Sequence, residues 1–408
     1  MAQVRLGSRA QVFIFTRGLL GITVLRSIFE AMRTTVVALA CLACAGLARR
    51  LQSRGDEQLP GLSYAEEQRS RLAKLLLEFN PAAAFNPSGM LPIAARSSPR
   101  VPAGARSSTG PLMATKGVVI TGGAGGVGYA YADSFMKRGH WVVICDVKDP
   151  EPAVQALRQK HEGGLGKVHG CICDVSKAES VEALGEFAKE KLGTIHYWIN
   201  NAGINGGRRP FSTLSTDILE AVVKVNLVGI ILCTKVAQTI MQEQEGVESH
   251  VFNTVGSGVK GGGTPGYVAY GATKRGLPQM TESLVKEVEG GVPGFDVPKP
   301  KGKVNFHTLS PGMVFTDLLL NDSTPELRKF PFGVLAAQPE EVGEDLVPKI
   351  LDTNGNGKSV EFLTTDKVLM KFFQKFIQGK KSEYIDDDGN VIKMPGAQYL
   401  DNGVRKLY

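Results

Sequence analysis

The chain has 408 residues, 43% of them hydrophobic and 21% charged, a composition typical of a globular protein and unlike a disordered or multi-span membrane protein. Its net charge of +7 is uneven, because residues 1–114 hold 14 Lys or Arg against 6 Asp or Glu. That leaves 33 basic and 34 acidic residues over 115–408, with no zinc-finger, RRM or basic-zipper pattern. Nucleic acid is therefore excluded as an expected partner.

Residues 1–114 are predicted to be a targeting leader, removed or disordered. The apolar run Val36 to Ala48 is too short to span a bilayer comfortably, and the small residues in it suit cleavage, as in a secretory signal. A stretch rich in Ser and Arg follows, with no acidic residue between Glu78 and Asp133. This arrangement resembles the two-part leaders of algae with complex plastids. A simple transit peptide, or a disordered extension with a retained anchor helix, is the alternative.

The cysteines and histidines do not form a metal-ligand pattern. Cys41 and Cys44 form a CxxC pair, but the pair lies in an apolar run without a second pair or a His partner. The six histidines are scattered, so no metal site is predicted. Buried, reduced thiols are expected at the remaining four cysteines, Cys145, Cys171, Cys173 and Cys233.

A dinucleotide-binding loop is predicted near residue 122. The β-branched run Lys116 to Thr121 leads into a glycine-rich segment and then into a helical pattern from Tyr129 to Lys137. Strand, glycine loop and helix are the context that lets a backbone approach a pyrophosphate at a helix N-terminus. The cofactor-binding residues expected here are Thr121, Gly122, Gly126, Val127 and Gly128.

Further strands alternate with helical segments. Trp141 to Cys145 reads as a strand that ends in Asp146, about 20 residues past the loop, where a ribose-binding carboxylate belongs. The alternation predicts an α/β fold, a Rossmann-like doubly wound parallel sheet, as a single catalytic domain over residues 115–365. More cofactor contacts are expected where later strands end, at Asp174, Val175, Asn201, Ala202 and Gly203.

Tyr270 is the candidate acid/base residue. Lys274 follows it by four positions, which on a helix places both side chains on one face. A fixed ammonium there is predicted to lower the tyrosine pKa from about 10 toward neutrality. Tyr129, Tyr131 and Tyr267 have no Lys at the fourth position. A bare YxxxK pattern is more often structural, so its order among other motifs matters.

That order resembles the short-chain dehydrogenase/reductase family from Lys116 to Leu351. TGxxxGxG, Asp174, NNAG, Asn226, a serine, YxxxK and a Pro-Gly pair follow one another as in that family. The resemblance implies that Ser257 holds the substrate carbonyl while Tyr270 gives or takes the proton. It also implies roles for a further set: Lys274 at the nicotinamide ribose, Asn226 in a water relay, and Pro311, Gly312 and Thr316 beside the nicotinamide.

Three stretches, YGATKR at 270–275, LSPGMVFTDLL at 309–319 and 330–348, resemble the chlorophyll(ide) b reductases of plastids. The resemblance implies reduction of the formyl group of chlorophyll b to hydroxymethyl with NADPH, in the stroma or at the thylakoid surface. A related pigment or lipid carbonyl is an alternative substrate. A catalytically silent dinucleotide-binding scaffold for pigment is the alternative from another class.

Cofactor preference and the C-terminal extension give two further expectations. Asp146 favours NADH over NADPH, because its carboxylate repels a 2′-phosphate. In the extension, residues 366–408, the stretch from Asp366 to Gly379 is predicted to form a basic amphipathic helix. The helix either lies on the thylakoid membrane or packs on its own domain or on a second copy in a homo-oligomer.

Overall fold

The computed structural model describes residues 114–256, 259, 263–320, 323–382 and 385–392. The predicted leader, apart from Ala114, lies outside the described residues. Within these described residues the larger elements are seven strands and eight helices. The strands are β1 Gly117–Thr121, β2 Trp141–Asp146, β3 Lys167–Ile172, β4 Tyr197–Asn200, β5 Glu248–Thr254, β6 Lys303–Ser310 and β7 Ser359–Glu361. The helices are α1 Gly126–Lys137, α2 Glu151–Lys160, α3 Ala178–Leu192, α4 Thr216–Val223, α5 Ile230–Gln242, α6 Val268–Gly290, α7 Pro339–Leu351 and α8 Thr365–Phe376.

The seven strands form one parallel sheet in the order β3-β2-β1-β4-β5-β6-β7. The chain runs outward from β1 to β3, then returns to the other side of β1 with β4. This arrangement confirms the predicted Rossmann-like doubly wound fold. Ligands of such sheets bind beyond the carboxyl ends of the strands where the order reverses, here between β1 and β4.

Each face of the sheet carries its own apolar core. In β1, Val118 and Ile120 point to the face covered by α1 and α7, while Val119 points to the face covered by α3 and α5. All three are fully buried, as a strand between two helical layers requires. Of the four expected thiols, three are buried and Cys171 is partly buried, all of them free. The two cores hold the strand ends in fixed positions.

Residues 216–242 form two α-helices and not one. A π-helical turn, Lys224–Gly229, separates α4 from α5 and contains Asn226, which is fully buried. Such turns are rare in proteins overall, and those that occur are often at functional sites. Two short helices, Asp317–Leu320 and Pro325–Leu327, follow β6, and a π-helical turn, Arg328–Phe332, and a last short helix, Gly333–Leu335, lead to α7.

Helix α8 packs on its own domain through its lysine-bearing side. Lys367 forms an ion pair with Asp345, and its ammonium lies 4.6 Å from the centre of the Phe362 ring. The opposite side is apolar and about half exposed. The exposed apolar side chains of α8 and the residue after it are Leu369, Met370, Phe373, Phe376 and Ile377. Within the described part of the chain, no helix combines the length and apolar character needed to cross a membrane.

Candidate active site

The glycine loop lies at the carboxyl end of β1, as predicted. Gly122 has a φ of +64° and Gly126 a φ of +53°, conformations that favour glycine. A Cβ on Gly128 would lie 2.1 Å from the Gly122 carbonyl oxygen, so a side chain cannot fit there. Gly126 and Val127 begin α1, which places the helix N-terminus at the loop.

Thr121 ties the loop to the end of β4. Its hydroxyl, almost fully buried, accepts the N–H groups of Asn201 and Ala202, both at 3.0 Å. The Asn201 side chain in turn donates to the carbonyls of Thr121 at 3.1 Å and Gly122 at 3.2 Å. Thr121 and Asn201, predicted to contact cofactor, therefore use these side chains to position the loop. Gly203 borders Asn226 and Lys274, which are described below.

Asp146 stands at the end of β2, beside the loop. Its carboxylate accepts the Ala124 N–H at 3.3 Å and the Lys148 N–H at 3.4 Å. Asp174, after β3, accepts the Ser176 hydroxyl at 2.7 Å, and this bond is the main reason why its pKa lies below the usual range. The carboxylate of Asp146 thus lies at the crevice and that of Asp174 is held by its own turn. Val175, also predicted here, is buried against the backbone of the π-helical turn.

Lys274 and Asn226 meet on the other side of the crevice. The Lys274 ammonium is buried and donates to the Thr254 carbonyl at 2.9 Å, at the end of β5. The Asn226 amide exchanges two hydrogen bonds with the backbone of Ile204, at 2.7 and 2.8 Å. A Cβ on Gly203 would lie 3.1 Å from Asn226 Oδ1 and 3.6 Å from Lys274 Nζ. The structure therefore brings these predicted residues together.

Tyr270 lies on the same face of α6 as Lys274, but its predicted pKa shift is wrong. Burial raises the pKa of Tyr270 to about 12, and Tyr267 adds to the rise. Lys274 Nζ is 5.9 Å from the centre of the Tyr270 ring and points to the Thr254 carbonyl, so it does not offset the burial. Burial lowers the pKa of Lys274 to about 8. The tyrosine hydroxyl keeps its proton at neutral pH.

Gly256 lies beside the Tyr270 hydroxyl. A Cβ at this position would lie 3.4 Å from Tyr270 Oη and 3.6 Å from Lys274 Cβ. Ser257, predicted to hold the substrate carbonyl, lies outside the described residues. Sequence reasoning missed Gly256, and the signal for it was only its position two residues after the last residue of β5.

The segment after β6 borders the crevice on the side opposite the glycine loop. Gly312 has a φ of +75°, and a Cβ there would lie 2.8 Å from the Leu363 side chain, so the Pro311-Gly312 turn requires glycine. Thr316 follows, with its methyl group 3.2 Å from the position a Cβ on Gly126 would occupy. The predicted Thr316 therefore lies opposite the glycine loop.

These residues fit a nicotinamide dinucleotide. Gly122 and Gly128 leave the backbone bare at the N-terminus of α1, which suits a pyrophosphate, and Asp146 offers carboxylate oxygens suited to ribose hydroxyls. Lys274 and Thr316 lie further along the same crevice. Among the described residues, no group of three or more His, Cys, Asp or Glu could hold a metal ion.

The amino-acid sequence matches the short chain dehydrogenase family over residues 116–326, which is more than half of the chain. The chain belongs to this family. The predicted family is thereby confirmed, and membership makes the protein an oxidoreductase that uses a nicotinamide dinucleotide. The roles of the individual site residues stay predictions.

Two similar relatives are plant proteins. The probable chlorophyll(ide) b reductase NYC1, chloroplastic, of Oryza sativa subsp. japonica is 37% identical over 303 residues, which cover 70% of this chain and 57% of the relative. The chlorophyll(ide) b reductase NOL, chloroplastic, of the same organism is 37% identical over 279 residues, 66% of this chain and 78% of the relative. The chain thus spans just over half the length of the NYC1 relative.

A similar solved structure is that of levodione reductase. It has a TM-score of 0.52 and 25% sequence identity, and the match covers 62% of this chain and 97% of the other. The likeness extends over almost the whole of that reductase and supports the fold described above.

Proposed function

We propose that the protein reduces the formyl group of chlorophyll(ide) b to hydroxymethyl. The observation that carries the proposal is its 37% identity to two plant proteins named for that reaction. The grouping of Tyr270, Lys274 and Asn226 around the end of β5 supports it, because an aldehyde needs only hydride at carbon and a proton at oxygen.

Each residue has a distinct task in this proposal. The bound dinucleotide supplies the hydride. Tyr270, protonated at neutral pH, donates its hydroxyl proton to the carbonyl oxygen. Lys274 holds the nicotinamide ribose, and Asn226 keeps the Ile204 segment in place beneath the site. Ser257 remains the candidate for a second hydrogen bond to the carbonyl.

The nicotinamide cofactor we propose is NADH in preference to NADPH. Asp146 is the acidic group at the ribose end, and Ala124 and Gly125 in the loop offer no cation. Lys148 lies two residues after Asp146 in the sequence. Its positive charge moderates the repulsion between the Asp146 carboxylate and a 2′-phosphate. The proposed location is the plastid, as for the relatives named chloroplastic.

The function is tested with the full chain, chlorophyllide b, and NADH or NADPH. We expect loss of the formyl group and a product heavier by two hydrogens, detected by absorption and mass spectrometry. If simple aldehydes or ketones are reduced while chlorophyllide b is untouched, the substrate is another carbonyl. If NADH and chlorophyllide b both bind but no carbonyl reacts, the protein is a catalytically silent pigment-binding scaffold.

We also propose that α8 contacts a lipid surface. Its five exposed apolar side chains offer roughly 400–500 Å² of surface, given the areas that large apolar side chains bury. Two copies packed through α8 would bury about 1,000 Å², below the range of stable specific interfaces. An apolar helix face of this kind instead suits the headgroup boundary of a bilayer, with cations such as Lys380 beside it.

Sedimentation with galactolipid vesicles containing anionic lipid tests this contact. Phe373→Gln combined with Met370→Gln should release the chain from vesicles. Phe295→Gln, which alters an exposed phenylalanine outside α8, should not. Equal binding of the α8 variant and the wild type contradicts the proposal, and a change from dimer to monomer would assign α8 to a homo-oligomer instead.

A further inference from the structure

Glycine at position 256 is not explained by packing against the described residues. Its φ does not lie in the left-handed region that favours glycine, unlike those of Gly122 and Gly126. Among the described residues, a Cβ there would also meet nothing closer than 3.4 Å, an ordinary van der Waals contact. By comparison, a Cβ on Gly128 would lie 2.1 Å from a carbonyl oxygen. Backbone and packing therefore allow a side chain at 256.

The atoms that a Cβ on Gly256 would contact are those of the reaction. The nearest are Tyr270 Cε1 and Tyr270 Oη, both at 3.4 Å, and then Lys274 Cβ at 3.6 Å. A carbonyl oxygen that receives a proton from Tyr270 must come within about 2.6–3.2 Å of the same Oη atom. A side chain at 256 and a substrate thus compete for the space beside one hydroxyl.

The two described residues that precede Gly256 are engaged elsewhere. Val255 is buried with Ile230 and Leu277 in a small apolar cluster under α5 and α6. The Thr254 carbonyl is occupied by the Lys274 ammonium. Gly256 itself places no side chain against the Tyr270 hydroxyl.

We propose that Gly256 is a specificity-determining residue that leaves room, beside the Tyr270 hydroxyl, for the ring of a bulky ring-conjugated aldehyde. The choice of a ring-conjugated aldehyde rests on the proposed function. A methyl group at this position narrows the approach to Oη and leaves Tyr270, Lys274 and the glycine loop in place. Small carbonyls still reach the hydroxyl, whereas an aldehyde on a large rigid ring does not.

The test compares kcat/KM of the full chain for two carbonyls, a formyl-bearing chlorin and benzaldehyde. Gly256→Ala should lower kcat/KM for the chlorin by at least about tenfold, the scale that one methylene sets in a tight pocket, and change that for benzaldehyde less than about threefold. Gly256→Ser should show the same selectivity. Unchanged NADH affinity, measured by fluorescence, shows that the variants are folded.

Gly271→Ala is the matched control. Gly271 follows Tyr270 in α6, and a Cβ there meets no atom within 4 Å, so both rates should stay at the wild-type level. Equal losses for both carbonyls in Gly256→Ala, no loss for either, or the same selectivity in Gly271→Ala would overturn the proposal.

A second substrate series separates this proposal from the proposed function. If the wild type does not reduce the formyl chlorin, aromatic aldehydes of one, two and three fused rings replace it. The decline of kcat/KM with ring number should then be steeper in Gly256→Ala than in the wild type. Parallel declines overturn the role of Gly256, and a wild type that reduces no ring aldehyde overturns both proposals.

Discussion

Burial affects the titratable side chains at the carboxyl edge of the sheet and those within the fold differently. At the carboxyl edge of the sheet, burial lowers the pKa of Lys274 to about 8, close to neutrality. Within the fold, burial lowers the pKa of His196 to about 4 and that of His307 to about 3. The lysine can change its charge near physiological pH, and the histidines stay neutral. The comparison separates residues suited to chemistry from residues that serve the core.

Two of the buried histidines, His250 and His307, belong to a layer of stacked rings across the sheet. His250 stacks on Tyr197 at 5.5 Å, and His307 stacks on Phe252 at 4.6 Å. His250 Nδ1 and His307 Nε2 are 3.0 Å apart, and the Lys358 N–H donates to His307 Nδ1 at 3.2 Å. These nitrogens are paired within the core, in contrast to the Tyr270 hydroxyl, which borders the crevice. If the comparison holds, substitutions at the carboxyl edge of the sheet change turnover or cofactor binding. Substitutions in the layer of stacked rings change stability.

The largest effect is expected from Tyr270→Phe. Removal of the proton donor should lower kcat by at least about 100-fold, the usual contribution of a general acid, with NADH affinity and Tm almost unchanged. Tyr267→Phe is the control, because its ring lies 6.3 Å from that of Tyr270 on the same helix start. Steady-state kinetics measure both. More than about a tenth of the wild-type rate in Tyr270→Phe would refute its role.

Gly128→Ala should act on binding and stability together. The added Cβ would lie 2.1 Å from the Gly122 carbonyl oxygen, so the glycine loop must shift. We expect a loss of about 1–3 kcal/mol in the free energy of unfolding, as for other overpacked sites, and at least about tenfold weaker NADH binding. Gly276→Ala, where the nearest atom is 3.9 Å away, should change neither. Denaturant unfolding and nucleotide titration check both, and tight NADH binding by Gly128→Ala would contradict the loop assignment.

Asp146 should determine the preference for NADH over NADPH without affecting the stability of the apolar core. A 2′-phosphate about 4 Å from its carboxylate is disfavoured by up to about 4 kcal/mol at an effective dielectric near 20, and Lys148 reduces that figure. We expect kcat/KM to favour NADH by about tenfold to a hundredfold, and Asp146→Ser to remove most of the preference. Asp149→Ser makes the same charge change in the turn before α2 and should preserve it. A wild type that favours NADPH would show this expectation to be wrong.

The sequence predicted the cofactor side of the fold better than the reactive side. The requirement for glycine at Gly122 and Gly126 arises from local backbone conformation, so spacing alone was enough. The π-helical turn around Asn226 and the position of Gly256 depend on contacts between elements distant in sequence, which periodicity does not report. The pKa of Tyr270 was predicted in the wrong direction because burial outweighs a lysine whose ammonium points to the Thr254 carbonyl.

The smallest effect is expected from the ring layer under mild acid. The pKa of His307 is lower in the folded protein than the reference value near 6.5, so between these values the unfolded chain binds more protons. The stability it contributes is complete above about pH 6.5 and is lost as pH falls toward 3. At pH 5.5 the loss is about 1.4 kcal/mol for each such histidine.

This pH range separates the histidines from the carboxylates, because carboxylates take up protons only at lower pH, with reference values near 4. His307→Asn keeps an acceptor for the Lys358 N–H but does not titrate, so it should be less stable at pH 7.5 and lose less stability between pH 7 and 5.5. Turnover at pH 7.5 should be unchanged in His307→Asn. Thermal unfolding at several pH values measures the slope, and identical slopes in His307→Asn and wild type would assign the acid sensitivity to other groups.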